Sequence, residues 1–417
     1  MTTDIRGVDD LLMDPAWYAK NDWHPTYRSL REQDPVRWVD DKNYGHPYWG
    51  VFSYHGIREV WENFDLFSSR LGTVPPRAGR RHTPEELHAM GLDVTPPYLD
   101  PPLHGLYRRP MNKHFSVPAV ARITADIDRN VENLIAEVAE KEEFDFVNDV
   151  AAQLPLRIIF GLLGVPAEDW DELQLSVNRY TMPSNPAHTI DGDPLKTSKI
   201  GRQVVDEYSG QLALARREHP QDDLSTVIGK VKIDGEPLSL HEVRSWFSTL
   251  IAGSLQTTRN GLGMGMWQFI QNPDQAKLMV DNEAIVPDGV EEVLRWGSPS
   301  RMILRTVNED LEFRGTEMRA GDWVMLFIAS GNRDESVWEN ADRFDITRER
   351  KEHLALGHGI HKCLGRNILR LEMARFFPKF INAFPELEMT AEPEFLADYN
   401  GNGIRTLPVS HRGVVRR

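Results

Sequence analysis

Cysteine is nearly absent: one residue, Cys363, in 417. A single thiol cannot form an internal disulfide, which excludes a disulfide-stapled secreted fold. It also excludes zinc sites needing two or more thiolates and all-cysteine iron–sulfur sites. Positive charge is in deficit, with 48 Lys+Arg against 63 Asp+Glu and a net charge of −15. Such a surface repels nucleic-acid phosphate, so nucleic-acid binding is not expected. The N-terminal MTTDIRGVDDLLMDPAWYAK has no apolar run resembling a signal peptide or anchor, and no other stretch reads as a membrane span. The expectation is a cytoplasmic protein without a membrane anchor. With 40% hydrophobic and 27% charged residues, a large core is available and wholesale disorder is excluded.

No internal repeat and no Gly/Ser-rich tether divides the chain, so residues 1–417 read as a single domain. Residues 23–63 read as helix, short strands and a second helix. The Pro-, Gly- and Arg-rich 70–103 stretch reads as irregular loop. Helical spacing dominates from about 117 to 270, with a loop at 181–196. Residues 302–330 turn strand-like, and a long helix follows Cys363, with Pro378 near its middle or end. The fold class is mainly α with small β-sheets.

Cys363 sits in LALGHGIHKCLGRNILRLE, closely flanked by Gly357, Gly359 and Gly365. Glycines allow tight turning and close approach to a flat ligand. A position near a helix N-terminus favours a thiolate, and His361 and Lys362 add donors or positive charge. Taken alone, the thiol could be an inert buried group, a nucleophile paired with His358 or His361, or a single metal ligand.

The segment GHGIHKCLG resembles the haem-binding loop of the cytochrome P450 superfamily. The resemblance implies the P450 fold, with haem b between the long central helix and the Cys-loop helix, Cys363 as axial thiolate, and His361 and the three glycines around the cofactor. The family usually carries Phe seven residues before the cysteine, where this chain has Leu356. EEVLRW followed by DRFDITR is similar to the family's structural ion network, which assigns those roles to Glu292, Arg295 and Arg348. DPPLHGLYRR and MILRTV resemble its propionate-binding segments and point to His104, Arg108 and Arg305. GSLQTT falls where the family has Gly-x-x-Asp/Glu-Thr. Gly253 would leave space at the iron, Thr257 would relay protons, and Gln256 replaces the usual acid.

These similarities imply a monooxygenase that uses O2 to hydroxylate a hydrophobic small molecule of terpenoid, steroid, alkyl or branched-lipid type. The recognised segments leave no room for a fused reductase, so electrons are expected from a ferredoxin and ferredoxin reductase. Lys362, Arg366, Arg109 and Lys113 would form a basic docking face. The family places Leu250, Ile251, Leu255, Met302 and Ile303 at the substrate, with Arg301 as a carboxylate tether or a solvent-facing cation. Alternatives are a peroxide-using haem-thiolate enzyme, a non-catalytic haem or ligand binder, and a Cys363–His361 hydrolase.

Overall fold

The long helix Leu240–Gln271 is the axis on which the other elements are hung. Its 32 residues span about 48 Å at 1.5 Å per residue. Ser239 and Glu242 close a capping box at its start, satisfying two backbone amides reciprocally. From Thr258 to Phe269 it is buried almost all round, which is why its apolar residues show little one-sided pattern. The computed structural model describes residues 5–76, 79–183 and 188–416. Arg77 and Ala78 of the 70–103 stretch, and residues 184–187 of the 181–196 loop, lie outside the described residues.

The helix Arg366–Ala383 packs against the long helix through a matched set of side chains. A Cβ on Gly261 would lie 2.4 Å from Met373 Cε, and one on Gly265 would lie 2.5 Å from Phe377 Cζ. Two glycines one turn apart therefore receive two large side chains one turn apart. That close approach sets the position of Cys363, three residues before the second helix begins.

The expected helix–strand–strand–helix order over 23–63 is observed as His24–Gln33, Val36–Val39, Tyr48–Val51 and Tyr54–Glu62. The strands belong to a five-stranded sheet ordered Val36–Val39, Tyr48–Val51, Trp323–Leu326, Ile303–Val307, Phe67–Ser68. Met325 pairs antiparallel with Leu304 and parallel with Gly50. A hairpin of Glu394–Phe395 and Ile404–Thr406 carries its turn against the long helix. A Cβ on Gly403 would lie 2.4 Å from Asn260 Oδ1, and Gly401 forms a bridge to Ser300.

Two sequence expectations change. The 70–103 stretch contains short helical elements, Pro84–Ala89, Leu92–Val94 and Pro96–Tyr98. The first is started by a Thr83–Glu86 capping box that Pro-rich composition obscures. The segment Phe146–Leu163 is long and apolar enough to cross a membrane, with mean hydropathy 1.4 over 18 residues. Sixty-one per cent of it is buried inside the protein, where Phe146, Leu154 and Phe160 join core clusters.

Candidate active site

The Cys363 loop is held from three sides. Gly357 (φ +70°) and Gly359 (φ +62°) occupy the left-handed region, which a side chain would strain. The Cys363 amide donates to Leu356 O at 2.8 Å, closing the loop on itself. Leu356 is buried in the main core cluster, so an aliphatic side chain fills the position seven residues before the cysteine. A Cβ on Gly365 would meet nothing within 4 Å, consistent with a surface left clear for a ligand.

The electrostatics of the thiol differ from the sequence expectation. Burial pushes the Cys363 thiol up, and the Gly365 amide, Arg108, Arg366 and Arg370 pull it back in part. The helix begins three residues later, and the amide of its N-cap, Gly365, is the helix-end donor that reaches the sulfur. Lys362 and His361 contribute less charge than expected. The Lys362 ammonium pairs with Glu352 at 2.7 Å. Burial, Arg305 and His104 hold the His361 imidazole far below its usual range, hence neutral. Its ring lies 4.7 Å from that of His104, and its Nε2 is 3.1 Å from Ser69 Oγ.

His104, Arg108, Arg305 and His361, taken from three separate stretches, form one electropositive cluster. His104 and Arg108 sit one turn apart on the helix Leu103–Asn112. Burial and Arg108 lower His104 to about 4, and its Nε2 is enclosed without a hydrogen-bond partner. Arg305, 3% exposed, donates to its neighbour's carbonyl, Leu304 O, at 2.8 Å; burial lowers it to about 10. Arg108 donates to Lys362 O and, at 3.3 Å, to Asn112 Oδ1. Asp100 is the acid whose field reaches both His104 and Arg305. Its carboxylate already accepts from Ser68 Oγ and the Ser69 amide. Among the described residues neither arginine has a carboxylate pair. Buried cations and an orphaned imidazole nitrogen are costly unless an anion answers them. The donor set therefore fits a cofactor bearing two carboxylates and a thiolate-seeking metal.

On the long helix, Gly253 is open: a Cβ there would meet nothing within 4 Å. Thr257 Oγ1 donates to Gly253 O at 2.8 Å, which leaves the hydroxyl's lone pairs free to accept. Gln256, half-buried, points its amide toward the hairpin turn. A Cβ on Gly401 would lie 3.2 Å from both Gln256 Nε2 and Asp398 Oδ2. Asp398, Ser69 and Asp100 carry no local sequence signal and were missed; only the tertiary contacts bring them in.

Glu292, Arg295 and Arg348 meet in one ion network. Glu292 and Arg295 pair at 2.7 Å with side chains 2% exposed, and Arg348 Nε lies 3.2 Å from the same carboxylate. Arg295 also donates to the carbonyls of Asn332 and Ala341, tying the 332–343 segment to its helix.

The expected pocket residues do not share one surface. Arg301 is neither a tether nor a solvent-facing cation: it is 1% exposed, 3.9 Å over the Tyr18 ring and 4.9 Å from that of Trp23. It donates to Gly401 O at 3.0 Å, to Asn402 Oδ1 at 2.8 Å and to Asp398 O, so both terminal nitrogens are committed to the hairpin turn. Met302 packs in the same aromatic core, with Tyr27, Tyr48 and Trp323. Ile251 and Leu255 pack with Phe160, Trp246 and Phe247. At 100° per residue they lie about 120–160° around the helix from Gly253 and Thr257. Leu250 shares the Gly253 side and is half-buried, as is Ile303 on its strand.

Residues 98–409 match the family model for cytochrome P450. The steroid C26-monooxygenase of Mycobacterium tuberculosis is 30% identical over 98% of this chain and 98% of its own. The methyl-branched lipid omega-hydroxylase of the same organism is 32% identical over 88% of this chain and 84% of its own. Among solved structures, Mycobacterium marinum cytochrome P450 CYP268A2 in complex with pseudoionone superposes with a TM-score of 0.87. It is 25% identical, covering 98% of this chain and 99% of that one. With family model, relatives and fold in agreement over nearly its whole length, the chain belongs to the cytochrome P450 family, the monooxygenases that bind haem through a cysteine thiolate.

Proposed function

We propose that this P450 hydroxylates a hydrophobic small molecule of the steroid, terpenoid, alkyl or branched-lipid class, drawing electrons from a ferredoxin and its reductase in the cytoplasm. Cys363 is the iron ligand, and His104, Arg108, Arg305 and His361 hold the haem propionates. Bound haem supplies dioxygen activation and oxygen insertion; the chain positions substrate and delivers protons. The observation that carries the reading is the cluster of buried Arg305 and His104 with half-buried Arg108, neither arginine having an acid pair among the described residues, beside the sole cysteine.

Substrate class rests on two supports. The matched relatives are named for steroid and methyl-branched lipid oxidation. Gly253 leaves the Thr257 side of the long helix open, and the half-buried Leu250, packed against the adjoining core, adds an apolar side chain to that side. Thr257, donating to Gly253 O, accepts a hydrogen bond from water and passes a proton by exchanging that donation. Gln256 orients water and does not ionise. The peroxide-using alternative draws on Gln256, but the Thr257 hydroxyl remains placed for a proton relay.

On the thiolate side, Arg109 and Lys113 are exposed one turn apart. Beside them runs an open groove of about 620 Å³ lined by Val117, Val120, Lys362 and Arg370. Lys362 and Arg370 are paired there with Glu352 and Glu291, so the exposed Arg109 and Lys113 beside an apolar floor are the features that suit an acidic ferredoxin.

The test is the carbon-monoxide difference spectrum of the reduced protein. The red-shifted Soret band of thiolate ligation is expected in the wild type and absent in Cys363→Ala. A haem-free protein after haem-supplemented expression would overturn the reading. Spin-state shifts on titration with sterols and branched fatty acids then identify the substrate class.

A further inference from the structure

Away from the cysteine loop, His88, Asp93 and His241 converge, one ligand atom of each lying within 4.8 Å of the others. His88 lies in the short helix Pro84–Ala89, Asp93 in the turn Leu92–Val94, and His241 in the first turn of the long helix. Other contacts hold these backbones in register. Gly91 adopts φ +66° between His88 and Asp93, and Ser245 Oγ occupies the place a Cβ on Gly91 would take. Arg202 donates to Met90 O at 2.7 Å. The three side chains are thus brought together by a framework that does not depend on their own contacts.

The chemistry of the cluster asks for a cation. His88 Nδ1 is 2.9 Å from Asp93 Oδ2, and the rings of His88 and His241 are 4.4 Å apart at 36°. His241 Nε2 is enclosed with no hydrogen-bond partner, an arrangement costing about 1–3 kcal/mol if nothing answers it. A metal ion accepts both nitrogen lone pairs and neutralises the carboxylate in one step. The neighbouring Glu242 carboxylate, engaged by Tyr107 Oη and the Ser239 amide, adds negative field. Two imidazoles and one carboxylate suit zinc, copper or nickel rather than magnesium or calcium. Donors around a tetrahedral zinc sit roughly 3.4 Å apart, so the present spacing needs only small side-chain rotations to close. His88 and Asp93 are 62% and 42% exposed, leaving a path for the ion and room for a water as fourth ligand.

We propose that His88, Asp93 and His241 bind one divalent transition-metal ion of the zinc class, which fastens the 84–94 segment to the start of the long helix.

The experiment uses untagged, chelator-stripped holoprotein titrated with Zn2+ by calorimetry, and with Cu2+ by electron paramagnetic resonance. Wild type is expected to bind one Zn2+ equivalent that His88→Ala and His241→Ala weaken by at least about tenfold. Cu2+ should show two imidazole nitrogens in the wild type and one in each variant, and Zn2+ should raise the wild-type Tm alone. Equal stoichiometry and affinity in wild type and variants, or no Zn2+ bound by wild type, would overturn the site. His88 is exposed, so His88→Ala reads the site even if His241→Ala folds poorly; an unchanged Soret band verifies the haem centre. A protein that binds zinc here but hydroxylates nothing would refute the proposed function and leave this site standing.

Discussion

Phe377 seats its ring edge where Gly265 has no side chain, a Cβ there lying 2.5 Å from Cζ. The contact sets how closely the helix following Cys363 approaches the long helix that carries Gly253 and Thr257. Gly265→Ala is expected to destabilise the protein by about 1–3 kcal/mol through overpacking. It should also lower haem retention. Urea unfolding and the haem-to-protein absorbance ratio check both. Gly253→Ala, with open space at its Cβ, should leave stability unchanged or raise it by about 0.5–1 kcal/mol.

Thr257→Ala should leave haem content intact and lower product formation by roughly 10²-fold, because a positioned proton relay is lost. Reduced cofactor should still be consumed, appearing as peroxide. Gln256→Glu should increase product per electron pair by supplying an ionisable group. Peroxide and product assays on the same samples separate these outcomes; equal coupling in all three proteins would remove Thr257 from the relay.

Glu372 is 3% exposed, and burial raises its carboxyl to about 8. The folded chain therefore keeps a proton that the unfolded chain releases above about pH 4.3. This group's contribution is fully present below that pH and is lost as pH rises toward 8, at up to about 1.4 kcal/mol per unit. Glu372→Gln should flatten the slope and stabilise the protein most at the alkaline end. Denaturation midpoints from about pH 5 to pH 8 measure it.

Arg301→Lys should cost roughly 2 kcal/mol, since an ammonium cannot cover both aromatic rings and the hairpin-turn acceptors. Preference between neutral and carboxylate-bearing substrates should not change. A selective loss of carboxylate substrates at unchanged stability would return Arg301 to the pocket.

Lys113→Glu combined with Arg366→Glu should slow ferredoxin-supported turnover at low salt and weaken its salt dependence. Arg366 also donates to Cys363 O at 3.0 Å, so Lys113→Glu alone is the cleaner probe of docking. Stopped-flow reduction against ionic strength is the measurement.

Much of this protein was readable along the chain. Glycine spacing around Cys363, the three-residue step from Glu292 to Arg295 and the four-residue step from His104 to Arg108 are local patterns. A loop or a single helical turn is enough to express them. The order of helices and strands followed for the same reason, since periodicity is a property of neighbouring residues.

Which face of an element meets which partner is not local. Ile251 and Leu255 turned to the core and Arg301 went under two aromatic rings, because burial is chosen by whatever packs alongside. Asp100 facing Arg305, Asp398 beside Gln256, and His88 against His241 join residues 142 to 205 positions apart. No spacing rule reaches that far. The charge of the thiol likewise waited on the fold: helix proximity suggested a lowered value, and desolvation outweighed it.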